Sequence, residues 1–301
     1  MELTISRMAI PTRPTTDEAP APRGALLACA EVWGGNRPVD TRVDLPGVRG
    51  VLYSRPCAGG RGGDVHYLSV CSSGLLARMC LADVVGHGEA VATISSEMHA
   101  QLRRFMNWPD QRRVLRELNR RLERIGLSAM TTAAALTYYP PSRKLSVSYA
   151  GHPPGWYFNR ARGAWTRLSL EHTRAARGEL VDGPLAVDPD ADFSRRSLRV
   201  NIGDRLLIVT DGVLEAPGAG GVQFGAERVE QVLVSVGDAG PERIGAALLK
   251  ALEAHGDAAM LTHDDVSFLA LEFVPGPRGP TLWTVLRNRL FPPRNALPDP
   301  G

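Results

Sequence analysis

Lysine is nearly missing from this sequence: Lys144 and Lys250 stand alone, and arginine supplies the other 33 of its 35 basic side chains. Set against 32 Asp and Glu residues, these leave a formal net charge of +3, so nothing in the composition demands a nucleic-acid partner. Long apolar runs are missing too. No window approaches the ~20 apolar residues of a membrane span, and no apolar stretch follows a basic start, so the expectation is a cytoplasmic protein without a transmembrane segment. Cysteine is scarce, and Cys29, Cys57, Cys71 and Cys80 show no CxxC spacing. The last three sit among apolar, strand-like residues, which favours buried thiols over a disulfide or zinc site.

What remains is ordinary globular usage, 44% hydrophobic and 22% charged over 301 residues, ample for a core. Arginine, glycine, proline and alanine use GC-rich codons, which implies a GC-rich bacterial genome.

Residues 1–24 carry several prolines and no sustained period and read as an N-terminal arm. Strands are expected at LLACAEVWGGN and VRGVLYSRPC, then in VHYLSVC and LLARMCLAD, which a Ser-Ser-Gly turn joins as an antiparallel hairpin. Two amphipathic helices follow. Ala90, Ile94, Met98, Leu102 and Phe105 share one face of the first, and Val114, Leu118, Leu122 and Ile125 share one face of the second, over Gln111 to Ile125. Further strands are expected at TTAAALTYY, KLSVSYAG, PGWYF with AWTRL as a hairpin, DRLLIVTDG and VSFLALEFV, with helices around AERVEQVLVSV and PERIGAALLKALEAHG.

Hairpins enclosing helix pairs, without a regular βαβ period, predict an α+β fold: a sandwich of antiparallel sheets flanked by helices. The domain spans 25–274. Residues 275–301 form a proline-rich tail with one short candidate helix, Thr281 to Leu290, whose Trp283, Leu286 and Leu290 can dock on a surface. Between Arg103 and Arg124 eight arginines face Asp110, Glu117 and Glu123; because they alternate with the apolar stripe, a solvated face or a contact for an acidic regulatory protein fits better than nucleic acid.

The informative feature is aspartate at strand ends beside glycine or a second acid: GGRGGD (Asp64), LADVVGHG (Asp83), IVTDGV (Asp211) and LTHDDVS (Asp264, Asp265). Glycine lets backbone approach the carboxylates, and four such groups in one cleft repel unless hard cations neutralise them. Each Asp-Gly is also a common turn former, so spacing alone leaves turn and magnesium or manganese site both open. No cysteine is followed by the Cys-x5-Arg loop of a thiol-dependent phosphatase.

GGD at 62–64, ADVVGHG at 82–88, AMTTAAAL at 129–136, YAGHPP at 149–154, GPL at 183–185, GDRLLIVTDGVLEA at 203–216 and DDVSFLALE at 264–272 together resemble the bacterial, SpoIIE/RsbU-like branch of the metal-dependent PP2C-type serine/threonine phosphatases. The resemblance runs in family order from about Val48 to Phe273. It implies a PP2C-like β-sandwich with two Mn²⁺ or Mg²⁺ ions at one end. Asp83 would bridge them, the Val84 carbonyl would ligate one, Asp211 and Asp264 would hold the other, and Asp64 would support the more hydrated ion; the role of Asp265 is left open. Water activated at Asp83, Asp211 and Asp264 would attack phosphorus. His87 is either an accessory acid or a loop brace, and His152 has the same two readings. Thr131 and Thr132 would back the cleft; no motif selects an arginine as a phosphate clamp, and Arg61, just before the Gly-Gly-Asp turn, is a weak candidate for one. The implied substrate is a phosphorylated protein, an anti-sigma-factor antagonist of a partner-switching pathway. The alternatives are an inactive phosphatase-like binding module and a metallohydrolase of a small phosphorylated metabolite. Val65, His66, Ala186 and Ser267 depart from the family's usual residues without removing a ligand.

Overall fold

The computed structural model describes residues 29–57, 60–71, 73–86, 89–169, 181–256 and 263–277. The expected arm, the candidate helix Thr281 to Leu290 and His87 lie outside these residues.

Two six-stranded antiparallel sheets face one another. The first holds β1 (Cys29–Gly35), β4 (Asp64–Cys71), β5 (Ala77–Val84), β6 (Thr131–Tyr139), β7 (Lys144–Ala150) and β10 (Arg196–Arg199), in that spatial order. The second runs β2 (Val39–Leu45), β3 (Val48–Arg55), β12 (Val266–Phe273), β11 (Arg205–Val209), β8 (Gly155–Asn159) and β9 (Ala164–Leu168). Helices α1 (Glu89–Phe105) and α2 (Gln111–Glu123) cover the first sheet; α4 (Gly225–Val236) and α5 (Pro241–His255) cover the second, and a single helical turn, α3 (Asp211–Leu214), follows β11. This is the α+β sandwich that the hairpins predict.

The period of two along each strand builds the layers. On β5, Met79 and Leu81 enter the core between the sheets, where Leu52, Leu136, Ile208 and Leu269 meet them, while Cys80 and Ala82 face Met98, Leu102, Leu118 and Leu122 of the helices. On β12, Leu269 and Leu271 point inward, and Phe268 and Ala270 face Ile244, Leu248 and Val229. Both faces being covered, β5 is buried along its whole length. Each such Leu or Phe taken from water contributes about 1.5–3 kcal/mol.

Helix α2 starts where Asp110, just after Pro109, accepts a hydrogen bond from Arg112 N at 3.1 Å. Its stripe of Val114, Leu118 and Leu122 is buried as expected, but Ile125 is 45% exposed, because the helix ends at Glu123 and the chain turns away. Arg78 of β5 is buried and its guanidinium donates to the carbonyls of Met106 and Trp108, closing the C-terminal end of α1. The arginines of this region are largely engaged within the fold. Arg103 pairs with Glu31, Arg112 with Asp110, Arg116 with Asp192 and Arg121 with Glu117, and Arg113 lies over the Trp108 ring at 4.4 Å. Cys71 and Cys80 are buried thiols and Cys57 is half-buried.

Candidate functional site

Antiparallel pairing puts the start of one strand beside the end of the next, and so gathers the acids. In the first sheet Asp64 opens β4 directly opposite Asp83 near the end of β5, and Asp83 is in turn opposite Thr132. In the second sheet β11 runs into Asp211 while Asp264 and Asp265 immediately precede its partner β12. The two sheets meet here: Thr210 Oγ1 donates to Asp64 Oδ2 at 3.0 Å.

Asp265 takes a role that its sequence position leaves open. Its buried carboxylate accepts from the backbone N–H groups of Cys57 (2.8 Å), Gly63 and Asp64 (3.1 Å), stitching the loop before β4 onto the start of β12. A Cβ on Gly62 would lie 2.0 Å from Asp265 Oδ2, and one on Gly63 would lie 2.7 Å from the Val84 carbonyl oxygen, so the Gly-Gly pair serves close approach. Gly212 has the same reason, since a Cβ there would strike the Asp265 carbonyl oxygen at 1.9 Å.

Other braces carry no sequence signature. Asn36, just past β1, donates to the carbonyls of Gly62 (3.2 Å) and Ala92 (3.1 Å), and Ser95 Oγ of α1 lies 3.1 Å from the Gly63 carbonyl. His263 Nε2 is 3.0 Å from the Gly212 carbonyl oxygen. These four, Asn36, Ser95, Thr210 and His263, are the residues of the site that reading the chain in order passes over.

The electrostatics are those of crowded acids. Burial, then the carboxylates of Asp211, Asp264 and Asp265, pushes Asp83 up to about 8, and Asp83 shares a hydrogen bond with Asp211. Burial first and Asp83 next hold Asp64 well above the usual carboxylate range, with the hydroxyls of Ser267 and Thr210 opposing. Asp211 and Asp264 are raised by burial, against which the His263 imidazole acts. Asp64 Oδ1 is buried with no hydrogen-bond partner. An all-oxygen donor set with an orphaned carboxylate oxygen fits a hard divalent cation in its chemistry. Among the described residues, no three or more His, Cys, Asp and Glu side chains are grouped so as to hold one ion as they stand.

Of the remaining expected residues, His152 is buried, stacks on Tyr149 and pairs its Nδ1 with the Pro153 carbonyl at 2.9 Å, which is a brace. Thr131 is buried, its hydroxyl bonded to the Ala129 carbonyl at 2.8 Å, and Arg61 is exposed. A cavity of about 350 Å³ under α5, lined by Tyr53, Phe268, Leu249 and Glu242, contains none of the predicted acids.

Two facing antiparallel sheets with helices outside and acids at one end define a PP2C-like phosphatase fold. The family described as Stage II sporulation protein E (SpoIIE) matches residues 76–274, and the chain belongs to that SpoIIE/RsbU-like phosphatase family. The matched span holds Asp83, Asp211 and Asp264 and begins after Asp64. No curated protein matches the sequence. Among solved structures, the RsbU and RsbW domains of a Mycobacterium tuberculosis protein share 24% identity at a TM-score of 0.62, covering 80% of this chain and 64% of that one. The PP2C phosphatase domain with a regulatory fragment of SpoIIE from Bacillus subtilis gives 15% identity and a TM-score of 0.61, covering 77% of this chain and 64% of that one. RsbX in complex with magnesium gives 14% and 0.56, covering 78% and 99%. This chain thus spans less than two thirds of the first and second of these. Among the described residues, no helix is long and apolar enough to cross a membrane.

Proposed function

We propose that this chain is a metal-dependent protein-serine/threonine phosphatase that hydrolyses phosphoserine or phosphothreonine on a protein, with residues 25–274 as its catalytic unit. The observation that carries the reading is the meeting of strand-end acids from both sheets, Asp64 and Asp83 with Asp211 and Asp264, in a chain of the SpoIIE family.

In this reading Asp83 and the Val84 carbonyl, with Asp211 and Asp264, hold two Mn²⁺ or Mg²⁺ ions, and Asp64 supports the more hydrated one. Bound there, such a pair supplies a water of lowered pKa and positive charge for the phosphoryl oxygens. The chain's own part is orientation. Asp265 fixes the backbone of Gly63 and Asp64, and Gly63, having no Cβ, does not crowd the Val84 carbonyl oxygen. Ionisation of the raised carboxylates accompanies cation binding, because the cation offsets both burial and mutual repulsion.

The substrate class is a phosphorylated anti-sigma-factor antagonist in a partner-switching circuit. Support comes from the similar M. tuberculosis protein, which carries both an RsbU and an RsbW domain. In this reading the protein works in the cytoplasm with a regulatory protein partner. The test is turnover of a phosphoserine protein by purified enzyme with Mn²⁺, beside sugar phosphates and nucleotides. The expected result is activity on the phosphoprotein that EDTA abolishes and thiol reagents spare. Faster turnover of small metabolites would move the assignment to a metabolite hydrolase, and no turnover of any phosphoester with Mn²⁺ to an inactive binding module.

A further inference from the structure

Thr210 occupies the N-cap position of α3 with extended backbone, φ −77° and ψ 166°, yet its side chain makes no capping bond. A threonine there ordinarily turns its oxygen to the free N–H groups of its own helix. Here the hydroxyl is committed elsewhere. Its oxygen accepts from Ser267 N at 3.1 Å, and its hydrogen reaches Asp64 Oδ2 at 3.0 Å, with the Ser267 carbonyl a more distant acceptor at 3.3 Å. The Thr210 N–H donates to that same carbonyl at 3.0 Å, so residues 210 and 267 continue the β11–β12 ladder, and the hydroxyl stands at a point set by the second sheet. Thr210 is fully buried, and the Ser267 hydroxyl beneath it is tied to Ser54 Oγ at 2.8 Å.

Asp64 belongs to the first sheet and is held from the second at both its backbone and its carboxylate, the latter beside the Ser267 hydroxyl as well as that of Thr210. Asp265 grips its backbone N–H; Thr210 grips one oxygen of its carboxylate and leaves Oδ1 without a partner. We propose that Thr210 is a positioning residue for cation binding: by holding Asp64 Oδ2 it fixes the carboxylate's rotation and would keep Oδ1 free to bind a cation. The proposal rests on the metal-dependent reading above. Groups that orient a metal ligand from behind typically contribute 10- to 100-fold in metal affinity.

The test measures Mn²⁺ affinity by titration calorimetry on EDTA-stripped full chain, with the thermal midpoint of the metal-free protein recorded in parallel. Thr210→Val keeps the shape and removes the hydroxyl; Thr210→Ser keeps the hydroxyl. The expected result is at least a 10-fold loss of Mn²⁺ affinity in the Val variant and recovery to within about threefold of wild type in the Ser variant. In an Asp64→Asn background the Val change is expected to have no further effect, because Thr210 acts through that carboxylate. A purely structural role lowers the metal-free midpoint but leaves Mn²⁺ affinity at the wild-type value, and that outcome overturns the proposal. Should the Val variant not fold, Thr210→Cys, close in volume and a weaker donor, carries the same comparison: reduced affinity supports the proposal and wild-type affinity overturns it. Wild-type protein that binds no Mn²⁺ overturns the metal-dependent reading itself, whereas wild-type binding with an unaffected Val variant overturns the role of Thr210 alone.

Discussion

The two neighbouring acids Asp264 and Asp265 divide the work of the site. Asp265 is spent on three backbone N–H groups, and Asp264 accepts from the Asp265 N–H at 2.8 Å and keeps its other oxygen. Asp265→Asn replaces one acceptor oxygen by an NH2 facing buried donors, and is expected to destabilise the fold by about 2 kcal/mol. Chemical denaturation with an unchanged m-value checks this. Asp83→Asn is expected to cost more turnover than Asp64→Asn, because Asp83 sits among the carboxylates of Asp211, Asp264 and Asp265 whereas Asp64 is acted on by those of Asp83 and Asp265. It should also raise the metal-free thermal midpoint by relieving repulsion; wild-type kcat for Asp83→Asn at saturating Mn²⁺ would remove it from the site. Strand-end acids beside glycine made the site legible along the chain. Which acid braces and which is available was not, because that depends on which side of a strand end faces the neighbouring loop. Two histidines add a pH response. Burial lowers His66 and His152 to about 4, with His99 adding to the effect on His66 and Glu31 opposing it. Between about 4 and 6.5 the folded state binds fewer protons than the unfolded chain, so this stability is present above 6.5 and lost as pH falls through 4. The magnitude is roughly 3 kcal/mol per histidine at most. Thermal midpoints from pH 7 to 4.5 should fall less steeply for His66→Leu than for wild type, and the difference between the curves separates the histidine from the carboxylates; parallel curves would contradict the assignment.

Elements with two covered faces or a strong apolar stripe were readable in advance: the β4–β5 and β6–β7 hairpins, β8, β11, β12 and four of the helices; β9, a mostly exposed edge strand, was readable from the turn that joins it to β8. Strand β2 was not. It is an edge strand in which only Val43 and Leu45 are fully buried while Asp40, Arg42 and Asp44 face outward, so its alternation is carried by charges and its stabilising partner, β3, is a matter of pairing rather than local composition. Arg78 is likewise invisible as a clamp, since a lone arginine in VHYLSVC–LLARMCLAD reads as an exposed position. Its buried guanidinium joins β5 to the end of α1, and Arg78→Met would leave the Met106 and Trp108 carbonyls without that donor. We expect a loss of about 2–3 kcal/mol, measured as a lower denaturation midpoint. A change below 0.5 kcal/mol would show that water replaces the clamp.

On the scale of the molecule, the sandwich is wired across long sequence distances. The Asp265 bonds to Cys57, Gly63 and Asp64 span 208, 202 and 201 positions, and the Thr210 bond to Asp64 spans 146. Strand β12 lies between β3 and β11, inside its sheet rather than at an edge, although it is the last strand in chain order among the described residues. During synthesis β3 therefore leaves the ribosome long before the strand it must hydrogen-bond, and the acids of β4 and β5 wait for the partners that follow β11. A chain cut short before Asp265 has neither the inner strand nor the anchor of the Gly-Gly loop, so the acids of β4 and β5 are not braced against the second sheet. Arrested chains ending at residue 262 should be cleaved rapidly by added protease, and chains extended past 277 should resist it; the sandwich then closes in one step, when β12 enters between β3 and β11.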